Sequence, residues 1–143
     1  MILKELREHA DLGLLISRIG IGLSYIFIHG WSKMFGGPEA WQGIGGALGA
    51  IINFEILPTF FGFLAAVSEF VGGILVLLGL FFRPACIALA LTMLVATLAH
   101  ILPWAWGDSW GDTAHSLKML FVFIGLIFVG PGEYSVDGGD MLE

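Results

Sequence analysis

The sequence predicts an all-α membrane protein, a four-helix bundle with an additional interfacial or re-entrant helix between its first and second helices. Of the 143 residues, 57% are hydrophobic and only 13% are charged, whereas a soluble domain carries about 25% charged residues. The mean hydropathy is +0.91. This composition offers too few polar residues to cover a water-facing surface, and the length predicts one membrane domain over residues 1–143.

Four apolar segments approach the length of roughly 20 residues that a spanning helix needs. They cover residues 12–34, 60–82, 84–102 and 114–130. Pro84 and Pro103 bracket the third segment, as expected of a proline at a helix start and one just past a helix end. The stretch between the first two spans, GGPEAWQGIGGALGAIINFEILPT, is rich in glycine and mixed in polarity, which favours an interfacial or re-entrant helix with Trp41 at headgroup level.

The distribution of Lys and Arg predicts the orientation of the chain in the membrane. Lys4 and Arg7 precede the first span, and Arg83 lies between the second and the third. The two intervening loops carry acidic residues instead. We therefore expect a multi-pass protein of the bacterial inner membrane with both termini in the cytoplasm. The net charge of −6 and the lack of a basic cluster do not suggest a nucleic-acid partner.

Ionisable residues gather in the predicted outer half of the membrane. With a rise of about 1.5 Å per residue, His29 lies roughly 7 Å inward and Glu69 roughly 13 Å inward. His100 lies near the outer end of the third span, and His115 and Lys118 lie near the outer start of the fourth. Each of the four helices thus delivers an ionisable group to one side, which predicts a polar pocket there.

Helical spacing agrees with this placement. On the first helix one stripe follows i, i+3 and i+4 spacing: Arg18, Gly22, Tyr25, His29 and Lys33. The second helix offers a mostly small stripe, which lets a neighbouring backbone approach closely: Ala65, Glu69, Gly72, Gly73 and Val76.

Glu69 provides the strongest energetic argument. A lone charge at the centre of a helix costs about 2.5–3.5 kcal/mol on insertion scales. We expect Glu69 to face the bundle interior and to be paired, hydrogen-bonded or protonated, with partners among Lys33, Lys118, His29 and His100; Arg18 sits deeper. Simpler readings stay open, because a lysine near the helix end can reach the headgroups, interfacial histidines can be plain polar caps, and Glu69 can belong to a structural ion pair.

The sequence resembles the DoxX family of small bacterial membrane proteins. The resemblance rests on RIGIGLSYIFIHGWSKMFG, SEFVGGILVLLGLFFRPACIAL and LKMLFVFIGLIFVGPGEYSVD, which occur in the family's order and cover most of the chain. The family pattern is R-x₃-G…H-G-x₂-K, then E-x₂-G-G…G…R, then K…G-P-G-x-[YL]-S-[LV]-D. By position it falls on Arg18, Gly22, His29, Gly30, Lys33, Glu69, Gly72, Gly73, Gly79, Arg83, Lys118, Gly130, Pro131, Gly132, Tyr134, Ser135 and Asp137. Many relatives have an acidic residue where this chain has His115.

Some relatives look like membrane subunits of quinone-linked sulfur oxidoreductases, such as the small subunit of thiosulfate:quinone oxidoreductase. Others accompany thiol or oxidative-stress systems, assist maturation of periplasmic enzymes, or act as assembly chaperones for membrane proteins. The resemblance, with the polar pocket, favours a subunit of a quinone-linked redox system, respiratory or sulfur-oxidising. The alternative is a non-catalytic assembly or structural subunit or chaperone of a larger membrane complex. In either case the partners are the bilayer and a larger membrane complex or further copies of the chain.

A quinone needs an apolar slot for its tail, donors for its head group and a group that exchanges protons. We predict catalytic roles for Glu69 and His29, with Glu69 as a proton relay. His29 or His100 would donate a hydrogen bond to a ring oxygen of the quinone. Trp31 or Trp41 would pack on the ring, and Lys33 and Lys118 would stabilise developing negative charge.

The sequence carries no electron carrier of its own. It has one cysteine, Cys86, and neither CxxCH nor a dinucleotide fingerprint. Haem between His29 and His100 is a weaker alternative, as is a metal held by histidines and Glu69, because no local ligand spacing supports either. If the chain takes part in redox chemistry, a partner subunit supplies the electrons, so whether the chain is itself an enzyme stays open.

Overall fold

The computed structural model describes residues 9–54, 57–102 and 110–138. Within these residues the chain forms helices and no strand, which confirms the all-α prediction. The helices are α1 (Ala10–Met34), α2 (Gly37–Ile52), α3 (Pro58–Leu78), α4 (Phe82–Ile101) and α5 (Trp110–Val129). The predicted features at Lys4, Arg7 and Pro103 lie outside the described residues.

Three of the helices, α1, α3 and α4, are long and apolar enough to cross a membrane. The helix α5 has 20 residues, and its stretch Thr113–Val129 is a shorter apolar helical segment. The chain is therefore a multi-pass membrane protein. The predicted extra helix between the first two spans is present as α2, and its interfacial or re-entrant position stays a prediction.

The boundary between α3 and α4 lies a few residues before the approximate position predicted for it. The helix α3 ends at Leu78 rather than at residue 82 because Gly79 adopts the left-handed conformation, with φ of 66°. The Gly79 and Leu80 N–H groups donate to Val76 and Leu75 carbonyls, as in a glycine-capped helix end. A tight turn follows, and α4 begins at Phe82 rather than at residue 84.

The other predicted ends also differ. The first helix begins at Ala10 rather than at residue 12, and α5 begins at Trp110 rather than at residue 114 and ends at Val129. The sequence prediction marked only the apolar part of each helix. The backbone hydrogen bonds of the helix continue into the more polar residues on either side, so the observed ends lie further out.

Glycines allow α1 to pack directly on α3. A Cβ on Gly30 would lie 2.7 Å from Phe70 Cα, and one on Gly22 would lie 2.7 Å from Leu77 Cβ. Gly73 of α3 has the same role from the other side, facing Tyr25. Gly73 belongs to the small stripe predicted to let a neighbouring backbone approach, and the structure shows that this neighbour is α1.

The middle of α1 is not an ordinary α-helix. Residues Ser24–Gly30 form a π-helix, between α-helical segments Ala10–Leu23 and Trp31–Met34. A π segment widens the turn and shifts the angular position of every later residue, and such segments are frequent at functional sites. His29 lies in this segment and Lys33 in the short α-helical turn that follows it, so the i+4 stripe predicted for a straight helix is distorted here.

The C-terminal segment, residues 130–138, closes one end of the bundle. Val136 and Asp137 N–H groups donate to the Leu78 and Gly79 carbonyls, each at 3.1 Å. The Glu133 N–H donates to Asp11 Oδ1 at 3.1 Å. The start of α1, the end of α3 and the C-terminal segment therefore lie at one end, opposite Lys33.

Arg18 is part of the same closure. Its side chain is buried, and Nη2 donates to the Tyr134 carbonyl. Arg18 is thus directed toward the C-terminal segment, away from Glu69. The two ends of the described chain lie on the same side, as the topology prediction requires; which side faces the cytoplasm stays a prediction.

Candidate functional site

The centre of the candidate site is an ion pair between α1 and α3. Lys33 Nζ lies 2.7 Å from Glu69 Oε2 and 2.8 Å from Oε1. The Glu69 side chain is 3% exposed, whereas the Lys33 side chain is 34% exposed. The carboxylate is therefore inside the bundle, as the sequence predicted, and the ammonium connects it to the more open surroundings at the end of α1.

The position of Lys33 is supported from α2. The indole Nε1 of Trp41 donates to the Lys33 carbonyl at 2.8 Å, and the Trp41 ring meets Phe63 of α3 edge to face, with centroids 4.8 Å apart. Trp41 thereby fastens the last turn of α1 to α2 and α3. Through this hydrogen bond Trp41 holds the backbone of Lys33 in position.

Two histidines meet between α1 and α5. The rings of His29 and His115 are stacked, with centroids 4.6 Å apart and planes inclined by 21°. Tyr25 also contacts His29, with ring centroids 5.2 Å apart, and its hydroxyl donates to Met93 Sδ at 3.1 Å. The sequence placed both histidines in the outer half of the bundle but gave no reason to expect direct contact between them.

The remaining predicted residues are more dispersed. Trp31 is 52% exposed and belongs to an aromatic surface with Phe27, Phe35 and Phe70. His100, near the C-terminal end of α4, is half-buried. Lys118 is exposed on α5 and interacts electrostatically with His115. The structure thus joins Lys33 to Glu69 directly and places His29 beside His115.

An apolar groove runs between α2, α3 and α4 beside Glu69. Its volume is about 540 Å³. The lining is mostly aliphatic and aromatic and includes Ile44, Gly45, Leu48, Phe61, Leu64, Ala65, Val67, Ser68, Glu69, Ala88, Leu91, Thr92 and Val95. Of the residues that the sequence assigned to the site, Glu69 is the one in this lining.

Ser68 and Thr92 are polar groups of the groove that sequence reasoning missed. Their hydroxyl oxygens lie 3.0 Å apart, and Thr92 also donates to the Ala88 carbonyl at 3.0 Å. Single hydroxyls in apolar helices commonly bond the preceding turn, so they gave little signal. The available clue was that Ser68 directly precedes Glu69.

Metal ligands do not assemble in the described part of the chain. Among residues 9–54, 57–102 and 110–138, no three His, Cys, Asp or Glu side chains come together as a metal site would need. The stacked geometry of His29 and His115 also differs from two imidazoles whose nitrogens converge on one ion. The metal alternative therefore has no geometric support in these residues.

Comparison with known proteins identifies the family. A family model described as DoxX matches residues 13–101. The chain belongs to the DoxX family. The match covers Arg18, His29, Lys33 and Glu69 and stops before α5, so the DoxX region contains the ion pair and the groove but not His115. No curated protein and no solved structure matches the chain.

Proposed function

We propose that this DoxX protein is an inner-membrane subunit of a quinone-linked redox system and that the groove beside Glu69 binds the quinone. One observation carries the proposal: a buried carboxylate, paired with Lys33, forms part of the wall of an apolar groove of about 540 Å³. Ligand pockets commonly enclose about 300–1,000 Å³ and combine apolar walls with a few polar groups.

The groove residues match the chemical parts of such a ligand. Aliphatic side chains of α2 and α4, such as Leu48 and Leu91, would pack against the ring and its apolar tail. The hydroxyls of Ser68 and Thr92 would exchange hydrogen bonds with ring oxygens. Both lie in the groove lining with Glu69, so they would orient the polar head toward the carboxyl group.

Glu69 supplies the acid–base function in this proposal. Reduction of a quinone to a quinol takes up two electrons and two protons, and oxidation releases them. Glu69 would hold one of these protons on its carboxyl group, and Lys33 would balance the charge when the carboxylate forms. The chain has one cysteine and no electron-carrier motif, so we assign the electrons to a partner subunit in a larger membrane complex.

The other predicted residues have indirect parts in this proposal. Lys33 interacts electrostatically with His29 and His115 as well as with Glu69. The histidines would therefore tune the charge around the ion pair. Trp41 would act by holding the backbone of Lys33.

A second function is an assembly or structural subunit without chemistry of its own. The observation that favours it is the bidentate contact, since one ammonium already satisfies both oxygens of Glu69. In this alternative the ion pair locks α1 to α3, and the protein contributes packing surface to a larger complex.

A labelling experiment distinguishes the two functions. The purified protein in lipid nanodiscs is illuminated with a benzoquinone that carries a photoreactive azido group, and labelled peptides are mapped by mass spectrometry. We expect labelling within α3 and α4 that a natural quinone competes away. Leu91→Trp should abolish it by filling the groove. Leu94→Trp, a matched control on the same helix outside the lining, should preserve it. Equal labelling in both variants, or no competition, would support the assembly function.

A further inference from the structure

The contact between α1 and α5 depends on side chains. No Cα atom in the described part of α5 lies within 8 Å of a Cα atom of α1, whereas α5 packs closely along α4. Two aromatic contacts bridge the space between α1 and α5. Tyr25 meets Phe123 edge to face at 5.2 Å, and His29 stacks on His115 at 4.6 Å.

The two bridges differ in chemistry. Tyr25 and Phe123 are both almost fully buried and belong to the main hydrophobic cluster. His29 is half-buried, and His115 is exposed near the start of α5, where we expect protons to reach the pair from the membrane surface. Imidazole gains a charge near neutral pH. The stack suits two neutral rings or one neutral and one charged ring, whereas two charged rings at this distance repel each other.

The charges around the pair strengthen this dependence. The titratable groups that act on the pair are Tyr25 and Lys33 of α1 and Lys118 of α5. Glu69 of α3 acts on it through Lys33. The histidine of α4, the helix packed along α5, is His100 near its C-terminal end. Lys33 interacts electrostatically with both rings, and Lys118 with His115. Glu69 pairs with Lys33 and offsets its charge, so a second proton on the stack would be opposed chiefly by Lys118 and by the ring that is already charged.

We propose that the His29–His115 stack is a pH-sensitive latch between α1 and α5. The latch is closed while at least one ring is neutral. When both rings are protonated, the outer part of the contact separates, while Tyr25 and Phe123 hold the inner part. The location of His29 in the π-helical segment Ser24–Gly30 allows this movement, because the wide turn can return toward α-helical geometry with a change of local hydrogen bonding. This inference does not depend on quinone binding.

Distance measurement between spin labels tests the latch. Labels are placed at Ser32→Cys on α1 and Ala114→Cys on α5, both at exposed positions. The native Cys86 is 0% exposed and stays in place. In the full chain in nanodiscs, we expect the distance distribution to shift to longer values as the pH falls from about 8 to about 4, because nearby positive charge opposes the second protonation. An unchanged distribution would overturn the proposal.

Substitutions then identify the responsible groups. His29→Phe with His115→Phe keeps an aromatic stack and removes both charges, so the closed distance should persist at both pH values. If the double variant folds poorly, the single His115→Phe variant, which changes an exposed position, tests the same point and should also keep the closed distance at both pH values. Glu69→Gln removes the charge that offsets Lys33, so the shift should remain but move to lower pH. A shift that survives His115→Phe, or that moves to higher pH in Glu69→Gln, would assign the response to another group and reject the latch.

Discussion

The ammonium of Lys33 contacts both carboxylate oxygens of Glu69, at 2.7 and 2.8 Å, and so joins the last turn of α1 to the middle of α3. The two partners differ in their surroundings. Glu69 is enclosed by the bundle, while about a third of the Lys33 side chain remains exposed. Removing Lys33 and removing Glu69 should therefore change the stability of the protein by different amounts.

The first prediction is that Lys33→Met destabilises the protein more than Glu69→Gln. The former leaves a buried carboxylate without its partner, for which the expected loss is about 3–5 kcal/mol of unfolding free energy. The latter leaves an ammonium that can turn toward solvent and a neutral amide of the same shape, so we expect a loss of about 1–3 kcal/mol. Equilibrium unfolding in mild detergent measures both.

Lys118→Met serves as the control for the first prediction, since Lys118 is exposed and its removal should change stability by less than about 1 kcal/mol. Equal losses in Lys33→Met and Lys118→Met would contradict the structural importance of the pair.

The ion pair shows what sequence can predict in such a protein. The cost of a lone charge in lipid required Glu69 to face inward with a partner, and Lys33 was among the few candidates. The family motif added Gly30 and Gly73, whose close helix contacts the structure confirms. These conclusions depend on the large free-energy cost of a lone charge in lipid and on the helical spacing of glycines. Neither changes when a helix boundary is misplaced by a few residues.

Other features depend on three-dimensional detail that no local pattern encodes. The π-helical segment changes the direction of His29 and Lys33 without a proline or another sequence marker. The stack of His29 on His115 depends on the position of α5 relative to α1. Ser68 and Thr92 line a groove formed jointly by α2, α3 and α4, and hydroxyls at helical positions are common in packed helices.

The second prediction concerns two glycines of α1. Gly30→Ala places a methyl group within 2.7 Å of Phe70 Cα, and we expect a loss of about 1–3 kcal/mol because the contact is with backbone that cannot rotate away. Gly20→Ala on the same helix meets nothing within 4 Å. It should be neutral or stabilising by up to about 1 kcal/mol through helix propensity. Thermal unfolding of both variants in detergent measures the difference; similar unfolding temperatures would argue against the α1–α3 contact.

The third prediction is topological. Residues near the C-terminal segment should face the cytoplasm, and the loop before α5 should face the periplasm. A membrane-impermeant thiol reagent added to whole cells should label Ser109→Cys but not Gly138→Cys, and both should react once the membrane is permeabilised. The buried Cys86 should contribute little background. Labelling of Gly138→Cys in intact cells, with protection of Ser109→Cys, would reverse the orientation.

The fourth prediction separates His29 from the groove. His29 stacks on His115 and lies outside the groove lining, so in the proposed mechanism its effect is electrostatic. The hypothesis drawn from the sequence instead makes His29 a direct ligand of the quinone. Under that hypothesis His29→Ala abolishes quinone labelling while membrane insertion persists. Under the groove model labelling remains and only turnover falls. Photolabelling of the purified variant decides between a direct and an indirect role.

The last prediction tests the proton function of Glu69. Glu69→Gln keeps the size and planar shape of the side chain and its place in the groove, so labelling by the azido-benzoquinone should stay within about threefold of wild type. Turnover with quinone, measured in membranes that contain the whole complex, should fall by about 10²–10⁴-fold because an amide cannot exchange the proton. Glu69→Asp, which retains the acid but shortens its reach, should recover part of the rate. The expected pattern is therefore a large loss of turnover with nearly preserved binding. A Glu69→Gln protein that assembles, binds quinone and turns over at the wild-type rate would leave the carboxylate a structural partner of Lys33 and would favour the assembly function.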